Sequence, residues 1–515
     1  MTGPDLRRWA IDTEFVPALV VGSGFGGAVA ALRLALAGVP TLMLERGRRW
    51  PITPAGDTFA TFEKQDGRAA WLSPFSAIAP IEQQFGLTPP ALDVFTGVLE
   101  GFVTDTISIA AGAGVGGGSL VHNGITVQPR RQFFERVFPR QIDYDEMHAV
   151  YYPRARSGIG SAPIPEDVLA TTFYQSTRVN VEQAERAGFE TRPVDLAIDW
   201  DVVREEIAGQ NVASAIAGQS WFGLNSGAKR SLDRSYLAMA ERTGRAEILP
   251  LHVADTITEH RESGLYVVSA NQIDEHGVVV RRRHFACRHL FLAAGSIGTT
   301  KLLVRSRAIG ALPRLTREVG RHWGNNGDFV VVRAGGAATN PGTGGPAGHF
   351  IADDLHNPVQ PASLVELVTP RHLAQLPGIS TYVGMTLSPV VGEFVYDRQT
   401  DQAVLRWPPP TDPKLADAIA ASQHTLDVLN SRNADGASQP TTLLNAPTLC
   451  GHPLGGAVVG AVCDQYGRVR RHRGLYVVDG AFIPGSTGLV NPSLTIAALA
   501  ERSMEHILTR DDFKP

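Results

Sequence analysis

Cysteine is scarce: Cys287, Cys450 and Cys463 are the only three in 515 residues. That is too few for a disulfide scaffold, and no C-x-x-C pair offers a zinc site. Charge is also sparse. Charged residues make up 19% of the chain and the net charge is −4, so no basic footprint for nucleic acid is visible. A long unbroken apolar run is missing as well. The stretch from Val16 to Leu44 is cut by Arg33 and punctuated by glycines, whereas a membrane-spanning helix needs about 20 nearly unbroken apolar residues. The first residues place two arginines before an acidic stretch, not before an apolar one, so no secretory leader is read. The expectation is a soluble, cytoplasmic chain, with an earlier-removed leader left open. Internal repeats and low-complexity segments are absent too. What remains is an ordinary globular balance, 43% hydrophobic, long enough for two large domains or for one with a large insertion.

Glycine is what the chain has in excess: 53 residues, against a typical share of ~7%. They cluster. Residues 17–22 read as a buried parallel strand, followed by Gly22-Ser23-Gly24-Phe25-Gly26-Gly27 and a helical run that stops at Gly38 and Pro40. A second strand ends at Glu45, completing a βαβ unit. Glycines in such a turn let backbone approach a pyrophosphate, the helix N-terminus offers it N–H groups, and an acid after the second strand accepts from a ribose hydroxyl. This unit alone leaves NAD and FAD both open. Two later clusters favour FAD. Residues 112–124, GAGVGGGSLVHNG, hold more glycine than packing needs, as backbone close to a flat ring would. Near the C-terminus Val478-Asp479-Gly480 ends a strand, and the helix after Asn491 would point its N-terminus at the negative edge of a reduced flavin. An ordinary strand–turn–helix with Asn491 as cap fits that spacing equally well. Residues 229–295 read as strands, AEILPL, GLYVVSA, VVVRRR and HLFLAAG, and 327–410 as a separate antiparallel sheet.

Seven segments carry a resemblance. VVGSGFGGAVAALRLALAGVPTLMLERG, GVGGGSLV, FLAAGSIGTTKLLV, GNNG, CGHPLGG, DQYGRV and LYVVDGAFIPGSTGLVNPSLTIAALAER run from near residue 17 to near 508. On them the chain resembles the glucose–methanol–choline flavoproteins, and within that family the bacterial sterol-oxidising branch that holds FAD without a covalent link. The resemblance implies a mixed α/β fold, a Rossmann-like FAD-binding domain interleaved with a substrate domain that contains a mostly antiparallel sheet. The FAD domain would take residues 10–48, 230–323 and 465–515, and the substrate domain 49–229 and 324–464. It further implies FAD contacts at Gly22, Gly24, Phe25, Gly26, Gly27, Glu45, Gly118, His122, Asn123, Ile125, Ala254, Asp479 and Gly480. The implied reaction is oxidation of a small-molecule alcohol, a 3β-hydroxysterol, with molecular oxygen as acceptor, followed by isomerisation of the 5-en-3-one. Nucleic acid has no part in it, and a sterol substrate invites transient membrane contact.

Three positions would carry the chemistry by that likeness. His452, in CGHPLGG, matches the active-site histidine; imidazole titrates near neutrality and can accept an alcohol proton. Asn491 matches the asparagine facing flavin and substrate oxygen. Glu366, in SLVELVTP, matches the carboxylate that moves a sterol proton from C4 to C6. A carboxylate in an apolar strand demands a raised pKa or a partner; alternatively Glu366 points to solvent. The chain also departs from the branch. His122-Asn123 stands where the compared oxidases have Asn then Gly, Ser493 replaces an aromatic residue, and GSTGLVNP is one residue longer. His122 before Asn123 also fits the spacing of family members that tether FAD through a histidine, so a covalent link and a neutral substitution both remain open. Two rivals stand beside the oxidase: a family dehydrogenase with another electron acceptor, and a catalytically silent flavin-binding protein.

Overall fold

In the computed structural model, which describes residues 13–513 apart from 85, 87, 261, 341–349, 370–375, 377 and 388, the strand Thr13–Val21 is buried from Ala18 onward. It pairs in parallel with Thr41–Leu44 on one side and with Val279–Leu292 on the other. Ala246–Leu249 and Leu475–Val477 extend the parallel set at its two flanks. These strands are covered on both faces, which is why they read as continuous apolar runs rather than alternating ones. The sequence reading divided VVVRRR from HLFLAAG. They form one 14-residue strand: its exposed first half pairs antiparallel with Tyr266–Ile273, and its buried second half belongs to the parallel set. His252–Glu259 completes the seven-stranded sheet as an edge. Its side chains are mostly half-buried, so it gives little apolar signal.

The helix Phe25–Leu36 follows the first strand and packs on the C-terminal helix Ser493–Arg510. The first helix is built largely of small buried side chains, among them Ala28, Ala30 and Ala31. Arg33 closes the contact with a two-pronged ion pair to the fully buried Glu501, at 2.6 and 2.8 Å.

The second layer is a six-stranded antiparallel sheet in the order Thr441–Ala446, Asp328–Ala334, Ser380–Thr386, Ala362–Leu367, Phe350–Asp354, Glu190–Pro193. Successive side chains of a strand point to opposite faces. Phe329, Val331, Leu364 and Tyr382 therefore pack behind the sheet, against Ala184 of the helix Gln175–Arg186 and Leu426 and Leu429 of the helix Ala416–Arg432. Val365, Val383 and Met385 face the other way, toward Ile125 and Val490. Strands of the seven-stranded sheet lie within residues 13–44, 246–292 and 475–477, so the chain crosses between the layers repeatedly. Among the described residues no helix is long and apolar enough to cross a membrane.

Candidate active site

A cavity of about 650 Å³ lies at the carboxyl ends of the parallel strands, roofed by Val330, Leu367 and Val383 of the six-stranded sheet. Three helix N-termini open on it: Phe25–Leu36, Gly295–Ala308 and Ser493–Arg510. None carries an acidic residue in its first turn, so their positive ends face the cavity uncompensated. The glycine turn is forced by contact. A Cβ on Gly22, at φ +99°, would fall 2.2 Å from the Ala293 carbonyl oxygen, and one on Gly26 would fall 1.8 Å from that of Val478. Gly24 and Gly118 differ: nothing lies within 4 Å of their Cβ positions, and both present bare backbone to the cavity.

Gly27 corrects an expectation. It does not line the cavity; its Cβ would meet the Gly22 carbonyl oxygen at 2.1 Å, so it is a packing glycine between turn and helix. Phe25, Glu45, Ile125, Ala254, Asp479 and Gly480 do line the cavity, together with Gly22, Gly24, Gly26 and Gly118. Glu45 is held rigidly, accepting from Ser23 N and Oγ at 3.0 and 2.6 Å and from Gly47 N at 2.8 Å. Asp479 accepts from Thr299 Oγ1 at 2.6 Å and Ala481 N at 2.9 Å, and burial pushes its pKa up to about 6.

Buried polar atoms normally find partners. Here His122 Nε2, Asn123 Oδ1 and Asn491 Oδ1 are buried without a hydrogen-bond partner among the described residues, and all three residues line the cavity. A flat heterocycle with donors and acceptors along its edge would satisfy them. With three helix N-termini and two bare glycines, the lining fits FAD.

The catalytic candidates meet at one corner. The strand starting at Asp328 brings a carboxylate that is 1% exposed. Its Oδ2 accepts from Gly451 N at 2.9 Å and His452 N at 3.0 Å, and its Oδ1 lies 2.8 Å from His452 Nδ1. A carboxylate only accepts, so Nδ1 carries the hydrogen and Nε2 keeps its lone pair toward the cavity. Asn491 Nδ2 donates to that Nε2 at 3.1 Å. Asn491 therefore does not cap the following helix, which has no side-chain cap. The GNNG segment sets this geometry. Asn326, at φ +62°, donates to the Val490 carbonyl at 2.9 Å and accepts from Thr487 N at 2.9 Å, fastening the approach to Asn491 onto the turn before Asp328. Sequence reasoning matched GNNG but missed Asp328. Only the adjacency of Asp to that segment could have pointed to it.

His122 stands on the cavity wall with its ring edge-on to Phe25, centroids 5.6 Å apart. Burial, with Lys229 and His452 nearby, drives its pKa down to about 3, so it is a neutral imidazole. Lys229 braces the same loop from behind, donating to the carbonyls of Leu120, His122 and Ser220 at 3.0, 2.5 and 2.9 Å. Burial pulls its pKa down to about 7, while three acceptors, one per ammonium hydrogen, favour the charged form.

Glu366 is the second correction. It shares the face of Leu364, turned from the cavity, and its strand neighbour is Tyr382 on the helix side. Its carboxylate accepts from Ser176 Oγ and Thr177 Oγ1 at 2.6 Å each and from Asn180 Nδ2 at 2.8 Å. It is 2% exposed and does not line the cavity. The structure brings His452 and Asn491 together and leaves Glu366 behind the sheet.

The comparisons agree with this architecture. Profiles for GMC oxidoreductases match residues 17–324 and 397–500. The chain belongs to the GMC oxidoreductase family: an FAD-dependent oxidoreductase acting on alcohol-type substrates. A cholesterol oxidase of Mycobacterium tuberculosis is 27% identical over 94% of this chain and 90% of that protein. One from Acinetobacter baumannii is 24% identical over 95% of this chain and 94% of that protein. Among solved structures, pyridoxine 4-oxidase from Mesorbium loti superposes over 96% of this chain and 100% of its own, with TM-score 0.63 at 14% identity.

Proposed function

We propose that the chain is an oxidase of a secondary alcohol of hydroxysterol type, with molecular oxygen as the final acceptor. The observation that carries the reading is the His452 Nε2 lone pair, fixed by Asp328 and turned into the FAD-fitting cavity beside Asn491. The alcohol takes the place of the Asn491 amide at Nε2: His452 accepts the hydroxyl proton there, the resulting positive ring is stabilised by the buried Asp328 carboxylate, and the freed Asn491 amide donates to the alcohol oxygen. FAD, when bound, would supply the hydride acceptor, with molecular oxygen taking up the electrons as hydrogen peroxide. A large apolar substrate suits Ile78, Ile81, Phe102, Val330, Leu367 and Val383 on the cavity wall, and the two sequence relatives named above are cholesterol oxidases. Anaerobic mixing with sterols and simple alcohols tests this. A 3β-hydroxysterol is expected to abolish the flavin's visible absorbance and, once air is admitted, to yield one peroxide per ketone. Bleaching only by short alcohols overturns the sterol reading, and ketone without peroxide overturns the oxidase.

The flavin is held without a covalent bond in this reading, as in the sterol-oxidising branch, with neutral His122 as a wall residue. Acid precipitation of the holoenzyme is expected to leave a white pellet under a yellow supernatant; a yellow pellet would assign His122 as the tether.

A further inference from the structure

The strand Ala362–Leu367 forms part of the cavity roof through Leu367 alone. On the strand Ala362–Leu367 the register places Ser363, Val365 and Leu367 on one face and Ala362, Leu364 and Glu366 on the other. Leu367 lines the cavity with Val330 and Val383. Shifting a residue by one position along a strand transfers its side chain to the opposite face, so the carboxylate that stands next to Leu367 in sequence stands behind the sheet in space.

Moving a double bond from C5 to C4 of a 3-ketosteroid needs a group over the substrate that takes a proton at C4 and returns it at C6. The acids lining the cavity are Glu45, Asp255 and Asp479 among the described residues. All three sit on strands or turns of the seven-stranded sheet, and all are occupied: Glu45 by Ser23 and Gly47, Asp479 by Thr299 and Ala481, Asp255 by Thr256 and Arg305. The segments 341–349 and 370–375, which border the roof strands in sequence, contain no aspartate or glutamate. Of the histidines on the wall, His122 is a neutral imidazole of low basicity, His252 has both ring nitrogens engaged, by the Pro250 carbonyl and Arg283, and His452, held by Asp328 beside Asn491, meets the substrate at its oxygen on C3 in the reading above.

We infer that this chain stops at the unconjugated ketone, and that Leu367 is the roof position whose apolar side chain withholds the isomerising base. The inference rests on the alcohol-oxidising reading above, and it separates this chain from oxidases that isomerise their product. Glu366 instead ties the helix Gln175–Arg186 to the back of the roof through Ser176, Thr177 and Asn180. The product then needs a separate isomerising reaction before it can be used as a conjugated enone.

The holoenzyme is mixed anaerobically with a steroid 5-en-3-one. Binding is read from the flavin spectrum, and isomerisation from the ultraviolet absorbance of the conjugated enone. The expected result is a perturbed flavin spectrum with isomerisation no faster than in buffer, unchanged in Glu366→Gln. Leu367→Glu, checked for retained flavin and native circular dichroism, is expected to accelerate isomerisation by about 10²-fold, the lower end for an added acid–base group. Val383→Glu serves as the second variant if Leu367→Glu loses its flavin. Catalysed isomerisation by the wild type overturns the inference while leaving the oxidase reading intact, and its loss in Glu366→Gln would return Glu366 to the mechanism. A ketone that fails to perturb the flavin, with a sterol that fails to bleach it, overturns the sterol reading itself.

Discussion

Replacing His452 by Ala is expected to slow flavin reduction by the alcohol roughly 10²–10⁴-fold, the usual range for a lost acid–base partner, while leaving the protein folded and yellow. The fold does not depend on the imidazole, whose side chain is 17% exposed. The backbone around it is held independently. Leu454 and Gly324 exchange two hydrogen bonds of 3.0 Å, Gly455 N donates to the Gly480 carbonyl at 2.9 Å, and Gly451 N and His452 N stay on the Asp328 carboxylate. The FAD-fitting features, the glycine turn, the three helix N-termini and Glu45, lie on other segments. The loss should therefore fall on the rate of the reductive step and not on flavin content. Stopped-flow reduction under anaerobic conditions measures the first and the absorbance ratio of purified protein the second. Reduction within about threefold of wild type would remove His452 from the proton transfer.

How much of this was legible in the chain differs from element to element. The βαβ unit was readable because its signals are local: a buried strand, a glycine turn, a helix stop and Glu45 fall within about thirty residues, the span of one such unit. His452 and Asn491 were reached through motifs that match a family, and their meeting at 3.1 Å across 39 residues has no sequence signature. Asp328 was missed for the same reason: it reaches its partner across 124 residues. Glu366 failed differently. The strand Ala362–Leu367 is buried on nearly every residue, because helices cover its back and the cavity lies before its front. With both faces apolar, the alternation that normally tells inside from outside is erased, and the position of Glu366 in the chain does not say which face it joins. The long strand Val279–Leu292 was divided in two because its halves serve different neighbours, an exposed hairpin and the buried parallel set. Each of these errors arises where tertiary neighbours, not local pattern, decide the outcome.

Asp328→Asn should cost nearly as much as removing His452, although the substituted side chain does not line the cavity. The carboxylate serves three donors at once: Gly451 N and His452 N on one oxygen and His452 Nδ1–H on the other. An amide has one acceptor and one donor end. If its oxygen keeps the two backbone N–H groups, which hold the loop, its NH₂ faces Nδ1 and drives the imidazole hydrogen to Nε2. The cavity-facing nitrogen then has no lone pair for the alcohol proton. If the amide turns over instead, its NH₂ opposes two backbone donors in a buried place, leaving unpaired groups at a cost of about 1–3 kcal/mol each. In both orientations the negative charge that stabilises the protonated ring is gone. A carboxylate-to-amide change behind a catalytic histidine can lower turnover by up to ~10⁴ through the wrong tautomer, so a fall of about 10²–10⁴ in the reductive rate is expected here. Flavin content should stay near wild type. Nitrogen NMR of labelled histidine distinguishes this from simple loosening, because the wild type should show hydrogen on Nδ1 of His452 and the variant hydrogen on Nε2. A variant that keeps the Nδ1–H form and reduces its flavin at the wild-type rate would show that Asp328 only anchors the Gly451–His452 backbone and has no part in preparing the base.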